Sequence, residues 1–367
     1  MKEKKVDRFF LIVVLLLISI GIAMFISASL GILAKNANTF YSILFSQLVL
    51  GFGFGFLAIY FSLKINYKFW RDYSFYIFLG SILLTAAVFI PGLGWKHLGA
   101  QRWIQFIGLR FQPVEILKFG FVIYFAAWLS WAKNRVQDFR FGILPLAILL
   151  TIIAAILFRQ PDTKSFILIA VTGFCMLFIS GVSMKWITLL GAGSMIVLGF
   201  LVFFTPYLQD RIKTFMDPSQ DPQGSSYQIQ QSLIAIGSGG IFGRGYGQSI
   251  QKFSYLPEPQ GDSIFAVVGE ELGFVGSVAI IILYLLFVLR GLRIANNSPD
   301  LFSRLLVSGI VILIVAQSFM NIASITGVFP LTGVPLVFIS HGGTSLMIDL
   351  LALGIVLQIS KFQKQSI

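Results

Sequence analysis

The sequence predicts an all-α integral membrane protein of about ten transmembrane helices, with a large extracytoplasmic loop between spans 7 and 8. Hydrophobic residues make up 57% of the 367 residues and charged residues only 11%, which leaves too few polar side chains to cover a soluble surface. Apolar runs close to the length that crosses a bilayer, about 20 residues, recur along the chain. Residues 1–367 are therefore expected to form a single polytopic membrane domain.

Each apolar run is read as one span, with short polar stretches between most of them. The first run follows a basic segment, is longer than the core of a secretory signal and lacks a persuasive small-residue cleavage site, so it is expected to be retained. The longest stretch between spans, about 206–263, is the expected extracytoplasmic loop. The expected spans are 9–29, 41–62, 74–91, 113–132, 141–158, 165–181, 185–205, 264–289, 303–326 and 334–358.

The distribution of lysine and arginine indicates an orientation, because cationic loops are retained in the cytoplasm. With both termini cytoplasmic, 16 of the 27 lysines and arginines lie in cytoplasmic segments. The outer loops 92–112 and 206–263 nevertheless keep seven positive charges, which indicates an anionic ligand on that side. The net charge of +12 otherwise suits contact with anionic membrane lipid and indicates no nucleic-acid partner.

The sequence offers little for metal binding or redox chemistry. Cys175 is the only cysteine, so an intramolecular disulfide and a cysteine metal cluster are both excluded. We expect Cys175 to be a packing residue, because its neighbours are apolar. No cluster of carboxylates indicates a dedicated metal site.

The outer loop ends in a polar segment that leads into the eighth span. Asp262 lies in it, at the expected boundary between water and hydrocarbon, which is a suitable place for chemistry on a lipid-linked substrate. Capping of the following helix is the alternative role for this carboxylate. Glu270 and Glu271 lie two turns deeper, where an ionisable group needs a partner or a function, and pairing with a loop arginine would satisfy them.

Other polar clusters interrupt the apolar pattern on the same expected side. Glu115 and Lys118 open the fourth span and share one helical face, where they can neutralise each other or hold a polar group. Residues 159–164 form a short polar segment between spans five and six. Glycines and prolines break the run at 330–343, and a broken helix at membrane depth is tolerated only against protein or a wet cavity.

The loop also contains an expected amphipathic helix, over 227–241, and a glycine-rich stretch at 237–247. No strand precedes these glycines, which argues against a dinucleotide site. Tight turns that face an anion or a neighbouring helix, with Arg244 projecting from them, are the better interpretation.

Taken in order, these clusters resemble the SEDS family (shape, elongation, division and sporulation), which includes FtsW, RodA and SpoVE. The resemblance covers essentially the whole chain and is greatest to the FtsW branch. It is carried by Gly-Ala-Gln-Arg-Trp-Ile at 99–104, Gln-Pro-Val-Glu-Ile-Leu-Lys at 112–118, Tyr-Gln-Ile-Gln-Gln-Ser at 227–232, Leu-Pro-Glu-Pro-Gln-Gly-Asp at 256–262 and Gly-Glu-Glu-Leu-Gly at 269–273.

The resemblance implies an inverting peptidoglycan glycosyltransferase in the bacterial cytoplasmic (inner) membrane. Its substrate would be lipid II, the undecaprenyl-pyrophosphate-linked disaccharide-pentapeptide. Its partners would be a class B penicillin-binding protein transpeptidase and other divisome or elongasome proteins. The sequence does not separate a division role from elongation or sporulation.

The resemblance also implies roles for individual residues. Asp262 would be the general base on the acceptor hydroxyl, and a carboxylate with an ordinary pKa near 4 is a weak base, so we expect a raised pKa or late deprotonation. Lys118 and Arg102 would face the donor pyrophosphate, with Glu115 orienting Lys118. The other expected substrate-binding residues are Arg244, Glu258 and Ser340, and Arg211, Lys213 and Arg244 are weaker candidates for contact with the pyrophosphate. No cofactor is certain, although Mg²⁺ or Mn²⁺ could share the work on the pyrophosphate.

The chain departs from the family pattern at three places. Gln260-Gly261 stands where the family usually has His-Thr, which removes a candidate proton carrier near Asp262. Residues 162–165 read Asp-Thr-Lys-Ser where Asp-Leu-Gly-Thr is common, and His341 replaces a common tyrosine.

Two other functions remain compatible with the residues. A transporter that flips lipid II would also show many spans, broken segments and intramembrane charge. A membrane scaffold for division or elongation partners would use the same outer charges as contact points.

Overall fold

The computed structural model describes residues 5–97, 100–106, 109–217 and 226–363, and most of them are helical. A π-helical segment, Ser46–Gly53, joins α2 to α3, and 3₁₀ turns at Ala87–Phe89 and Lys133–Gln137 extend α5 and α6. The helices are α1 (Arg8–Leu33), α2 (Ala37–Phe45), α3 (Phe54–Lys64), α4 (Tyr67–Asp72), α5 (Ser74–Ala86), α6 (Pro113–Ala132), α7 (Ile143–Leu157), α8 (Thr163–Ser180), α9 (Met184–Phe204), α10 (Pro206–Met216), α11 (Tyr227–Ser238), α12 (Gln251–Ser254), α13 (Ile264–Asn296), α14 (Leu301–Ile325) and α15 (Gly343–Ser360).

The apolar helices lie where the sequence predicts spans. Within the described ranges, eight helical stretches are long and apolar enough to cross a membrane, and Ser74–Phe89 and Ile143–Leu157 are shorter apolar helices at the third and fifth expected positions. The boundary predicted for the last span was wrong. Its helix begins at Gly343 instead of residue 334, because prolines and glycines keep 330–342 out of helical conformation.

A small antiparallel sheet forms where the sequence predicts only a loop. Its strands β1 (Gly94–His97), β2 (Ala100–Phe106) and β3 (Leu109–Phe111) pair in the order β1-β2-β3. Gln101 fixes the sheet to the end of the preceding helix, since its amide donates to the Val88 carbonyl at 2.8 Å. The fold is thus helical with one small sheet, which carries Arg102.

Helix α13 is interrupted at Gly273, whose φ of +66° is not helical. The break leaves backbone groups without helical partners, and the glycine-rich loop supplies them. Arg244 and Gly245 donate to the carbonyls of residues 270 and 271 at 3.0 Å each. In return, the N–H groups of residues 274 and 275 donate to the carbonyls of residues 240 and 241 at 2.9 and 3.1 Å.

These backbone hydrogen bonds require a glycine in the loop and another in α13. A Cβ atom on Gly243 would lie 2.1 Å from the Glu271 carbonyl oxygen, and one on Gly273 would lie 2.3 Å from the Gly243 nitrogen. Both distances are far below van der Waals contact. The glycines therefore permit a close backbone approach, as the sequence predicted for a turn against a neighbouring helix.

The two buried glutamates of α13 also organise this loop. Lys252 Nζ lies 2.6 Å from Glu271 Oε1, and both side chains are 0% exposed. Ser27 of α1 donates to the same carboxylate at 2.7 Å. Glu270 accepts from the Ile250 N–H at 2.9 Å and lies 3.6 Å from Arg244 Nε. The predicted pairing of Glu270 with a loop arginine is confirmed, and Glu271 pairs with a lysine.

Helix α11 confirms the expected amphipathic helix between α9 and α13. Its buried face, which includes Ile229, Ser232 and Ala235, packs against α13, while Leu233 and Ile234 are exposed. Gly239 brings the backbones close, because a Cβ there would lie 2.0 Å from the Gly269 carbonyl oxygen. The helix thus positions its first turn beside the start of α13.

Loss of the Lys252 cation should destabilise the fold strongly. Lys252→Met leaves the buried Glu271 carboxylate without its ion partner, so we expect the free energy of unfolding to fall by about 3–5 kcal/mol. Denaturant unfolding in detergent micelles measures this loss. The control, Arg71→Met, breaks an exposed pair with Asp72 and should cost less than about 1 kcal/mol. Equal losses in the two variants would contradict the importance of the buried pair.

Candidate active site

Asp262 lies in the turn immediately before α13, and contacts from two other elements hold its backbone. Asn321 of α14 donates to the Asp262 carbonyl at 2.7 Å. Ser340 Oγ donates to the Gly261 carbonyl at 2.7 Å, and the His341 N–H donates to the Gln260 carbonyl at 2.7 Å. The turn at 260–262 is therefore fixed to α14 and to the non-helical segment 330–342.

The Asp262 carboxylate faces a glutamine and a glycine. Gln228 of α11 donates to Asp262 Oδ1 at 3.2 Å and to Ser263 Oγ at 2.9 Å. Oδ2 lies so near Gly333 that a Cβ atom there would be 3.2 Å away, and Gly333 has a φ of +64°. The residue directly before α13 is Ser263, which makes no side-chain cap bond. The carboxylate is thus held for contact with other groups, and the alternative capping role has no support in its contacts.

The electrostatics of this carboxylate combine burial with two nearby cations. Burial has the largest effect and raises the pKa of Asp262 above its usual value of 3.8, while Lys164, the Gln228 hydrogen bond and Arg211 oppose the rise. Lys164 Nζ donates to the Gly333 carbonyl, and Arg211 donates to the Leu331 carbonyl. The raised pKa agrees with the expectation for a general base.

Lys118 and Glu115 form a second polar cluster, on α6. Lys118 Nζ lies 2.8 Å from Glu115 Oε2 and donates to Gln317 Oε1 at 2.6 Å, with both charged side chains buried. Ser345 of α15 donates to the same Glu115 oxygen at 2.9 Å. Glu115 thus contacts Lys118 directly, and Gln317 and Ser345 are further partners that the sequence did not identify.

Asp349 of α15 joins this cluster. It is 5% exposed, interacts electrostatically with Glu115 and Lys118, and lines a small pocket together with Gln317 and Ser345. The only signal in the sequence was an acidic residue inside an apolar run. Intramembrane carboxylates are costly, and that rule could have identified Asp349.

Arg102 contacts the turn between α7 and α8. Its guanidinium donates to the Gln160 carbonyl at 2.9 Å and to the Pro161 carbonyl, and it interacts electrostatically with Lys164. Lys118 contacts Glu115 and Gln317 instead. The structure thus connects Arg102 to the Asp262 neighbourhood through Lys164, whereas the sequence grouped it with Lys118.

The remaining expected site residues have contacts of different kinds. Arg244 is 37% exposed and pairs with Glu270. Glu258 has a φ of +44° and accepts from the Gln260 amide at 3.1 Å. Ser340 supports the Asp262 turn through Gly261. Lys213 is exposed on α10.

The residues at the departures from the family pattern lie around the Asp262 turn. Gln260 contacts Glu258 where an imidazole was expected from the family, and Lys164 reaches Gly333. The His341 ring stacks on Phe25 with centroids 5.9 Å apart, and burial lowers its pKa to about 4, so the ring is neutral at physiological pH.

The donor set does not form a dedicated metal site. Among the described residues, no group of three or more His, Cys, Asp or Glu side chains could hold a metal ion. Asp162 and Asp262 both interact with the Lys164 ammonium, so a cation of the protein already lies near both carboxylates.

These features define a class: a multi-pass helical membrane protein with a carboxylate and cation site in a turn that enters a span. Comparison with known proteins gives the family. The family model described as cell cycle protein, for FtsW, RodA and SpoVE, matches residues 7–365. The chain therefore belongs to the FtsW/RodA/SpoVE family.

Relatives match over nearly their full lengths. A probable peptidoglycan glycosyltransferase FtsW of Geobacter sulfurreducens is 38% identical over 361 residues, covering 97% of this chain and 96% of that protein. Stage V sporulation protein E of Bacillus subtilis is 36% identical over 363 residues, covering 99% of each chain.

Solved structures share the fold. A chain from a study of how a peptidoglycan synthase complex coordinates polymerization and crosslinking has a TM-score of 0.80 and 26% identity, covering 97% of each chain. A variant of the rod-shape-determining protein RodA of Thermus thermophilus has a TM-score of 0.71 and 25% identity, covering 98% of this chain and 99% of that one.

Asn321 should be essential for the position of the Asp262 turn. Asn321→Leu removes the amide that donates to the Asp262 and Val334 carbonyls at 2.7 Å each. Unsatisfied buried carbonyls should lower the free energy of unfolding by about 1–3 kcal/mol. Denaturant unfolding in micelles measures the loss. Asn134→Leu, at an exposed position, is the control and should change stability by no more than about 0.5 kcal/mol; similar values for both variants would contradict the role.

Proposed function

We propose that this chain is a peptidoglycan glycosyltransferase that polymerises lipid II at the outer face of the bacterial cytoplasmic membrane. The observation that carries the proposal is the Asp262 carboxylate, whose pKa burial raises and which Lys164 and Arg211 flank at the entry of a span. Family membership and the names of the relatives support glycosyl transfer. The excess of positive charge at the termini and in alternate loops supports cytoplasmic termini.

Asp262 acts as the general base. The acceptor sugar hydroxyl transfers its proton to this carboxylate while its oxygen forms a bond to the anomeric carbon of the donor. The bond from that carbon to the pyrophosphate oxygen breaks with inversion, and the lipid pyrophosphate leaves with the electron pair. A raised pKa makes Asp262 a better proton acceptor than an exposed aspartate.

The departing pyrophosphate requires positive charge. Lys118 and Arg102 are our candidates, and Glu115 orients Lys118 at 2.8 Å. Arg244, Glu258 and Ser340 stay proposed substrate-binding residues, with Ser340 acting through the turn that it supports. Mg²⁺ or Mn²⁺, if required, would be held by the donor pyrophosphate and one carboxylate of the protein, which is how Mg²⁺ commonly binds beside phosphates.

We further propose a class B penicillin-binding protein transpeptidase as the partner, within the divisome or elongasome. The structural neighbour from a complex that coordinates polymerization and crosslinking supports this pairing. A glycan strand made by this chain would be the substrate that such a partner crosslinks.

Removal of the Asp262 carboxylate should abolish polymerisation. In proteoliposomes with lipid II and a class B transpeptidase, Asp262→Asn and Asp262→Ala should reduce glycan synthesis by about 10²–10⁴-fold, because the acceptor loses its base. Gel separation of glycan strands measures the product. Asp210→Asn, at an exposed position of α10, should retain activity. An active, folded Asp262→Ala protein would exclude Asp262 as the base.

The rate should also depend on pH in the acid range. Asp262 must be ionised to accept a proton, so activity should fall as the pH drops through its pKa. Because burial raises this pKa, the midpoint of the acid limb of kcat/KM should lie above 3.8. Initial rates of polymerisation between pH 4 and 8 locate the midpoint. A midpoint at or below the ordinary aspartate value would contradict the assignment.

A lipid II flippase is the second candidate, favoured by the non-helical segment 330–342 and the buried cluster of Glu115, Lys118 and Asp349. A flippase should translocate labelled lipid II in liposomes even with Asp262→Ala. Translocation without strand synthesis by the native protein would favour that function. Neither translocation nor synthesis, with the partner present, would favour a scaffold.

A further inference from the structure

Lys164 occupies an unusual position for a cation. It is the second residue of α8, which begins at Thr163. The N-terminal end of a helix carries partial positive charge, so a lysine in the first turn is disfavoured by the helix dipole. A compensating set of negative or dipolar groups is therefore expected around its ammonium.

The structure shows this set. Lys164 Nζ donates to the Gly333 carbonyl and interacts electrostatically with Asp162 and Asp262. A Cβ atom built on Gly333 would lie 3.2 Å from Asp262 Oδ2 and 3.9 Å from Lys164 Nζ, so these two atoms are within about 7 Å of each other. The ammonium and the carboxylate thus both lie beside one glycine of the non-helical segment 330–342.

Asp162 strengthens this arrangement. Its side chain is 0% exposed, Ser165 donates to Oδ2 at 2.8 Å, and Oδ1 has no hydrogen-bond partner among the described residues. A buried carboxylate without full hydrogen bonding depends on a nearby cation. Lys164 therefore interacts with two carboxylates, one directly before α8 and one in the turn before α13.

We propose that Lys164 is a positioning residue for the Asp262 base: anchored on the Gly333 carbonyl, its ammonium holds the Asp262 carboxylate ionised and in place for the acceptor hydroxyl. This inference rests on the proposed function. Lys164 takes no part in the proton transfer. The acceptor proton moves to Asp262, and the electron pair of the broken carbon–oxygen bond leaves on the pyrophosphate.

The other charged and hydrogen-bonding groups around Asp262 do not replace Lys164. Arg211 of α10 also donates to a backbone carbonyl, that of Leu331, but its effect on Asp262 is smaller than that of Lys164, and Gln228 of α11 is a neutral donor. Arg102 interacts with Lys164 from the sheet. Together with Lys164, the two arginines outnumber Asp162 and Asp262, so these five side chains carry a net positive charge that suits a diphosphate.

The test is the pH profile of lipid II polymerisation. Lys164→Gln keeps a side-chain donor for the Gly333 carbonyl but removes the charge, so ionised Asp262 loses an attractive partner. An opposite charge nearby typically lowers a carboxyl pKa by about 1–3 units. The acid limb of kcat/KM should accordingly move up by about one pH unit, with kcat affected more than KM. Lys164→Arg should restore the native midpoint.

The matched control is Lys185→Gln. Lys185 is the second residue of α9 and is exposed, so it shares the helix position of Lys164 without its contacts. Its variant should keep the native midpoint. An unchanged midpoint in folded Lys164→Gln, or a rate loss that is the same at every pH, would overturn the inference and leave only a structural role.

The outcomes separate this inference from the proposed function. If Asp262→Asn remains active, the base assignment fails and the role of Lys164 fails with it. If Asp262→Asn is inactive while Lys164→Gln keeps the native profile, only the inference about Lys164 fails. Should Lys164→Gln not fold, Lys164→Arg decides alone, since a midpoint that rises although the charge is kept would contradict the proposal.

Discussion

The side-chain amide of Asn321 connects the parts on which the site depends. Its nitrogen donates to the carbonyls of Asp262 and Val334 at 2.7 Å each, so one residue of α14 fixes both the turn before α13 and the non-helical segment 330–342. Non-helical backbone at membrane depth is stable only when its polar groups find partners inside the protein. The hydrogen bonds from Asn321 satisfy these two carbonyls and also fix the position of the turn that carries the Asp262 carboxylate.

Buried charged side chains form three clusters, and each cluster contains cations that lie near its carboxylates. The Asp262 turn relies on Lys164 and Arg211, the α6 cluster on the Lys118–Glu115 pair, and the glycine-rich loop on Lys252 and Arg244. The first lies in the turn before α13, and burial raises the pKa of its carboxylate. In the other two clusters the ion pairs compensate buried carboxylates, because a charge in a medium of low dielectric needs a partner.

The sequence was sufficient for the positions of the apolar helices and for the polar clusters between them, because apolar length and intramembrane charge follow from simple transfer energies. It could not show which clusters meet. Arg102 and Lys164 are 62 positions apart and come together through a sheet whose strands have no clear alternation. Gln228 was visible as part of a motif, but its contact with Asp262 depends on how α11 packs on α13. The predicted start of the last helix was wrong, because the hydropathy of an apolar run is the same in helical and in non-helical backbone.

The backbone exchange at Gly273 has a practical consequence for protein engineering. Four backbone hydrogen bonds join residues 240, 241, 244 and 245 of the loop to residues 274, 275, 270 and 271 of α13. Surface loops ordinarily tolerate changes of length, but here one added residue would shift every pair out of register. Epitope tags and fluorescent reporters therefore belong elsewhere in the chain, even though this stretch looks, from its glycines, like an accommodating linker.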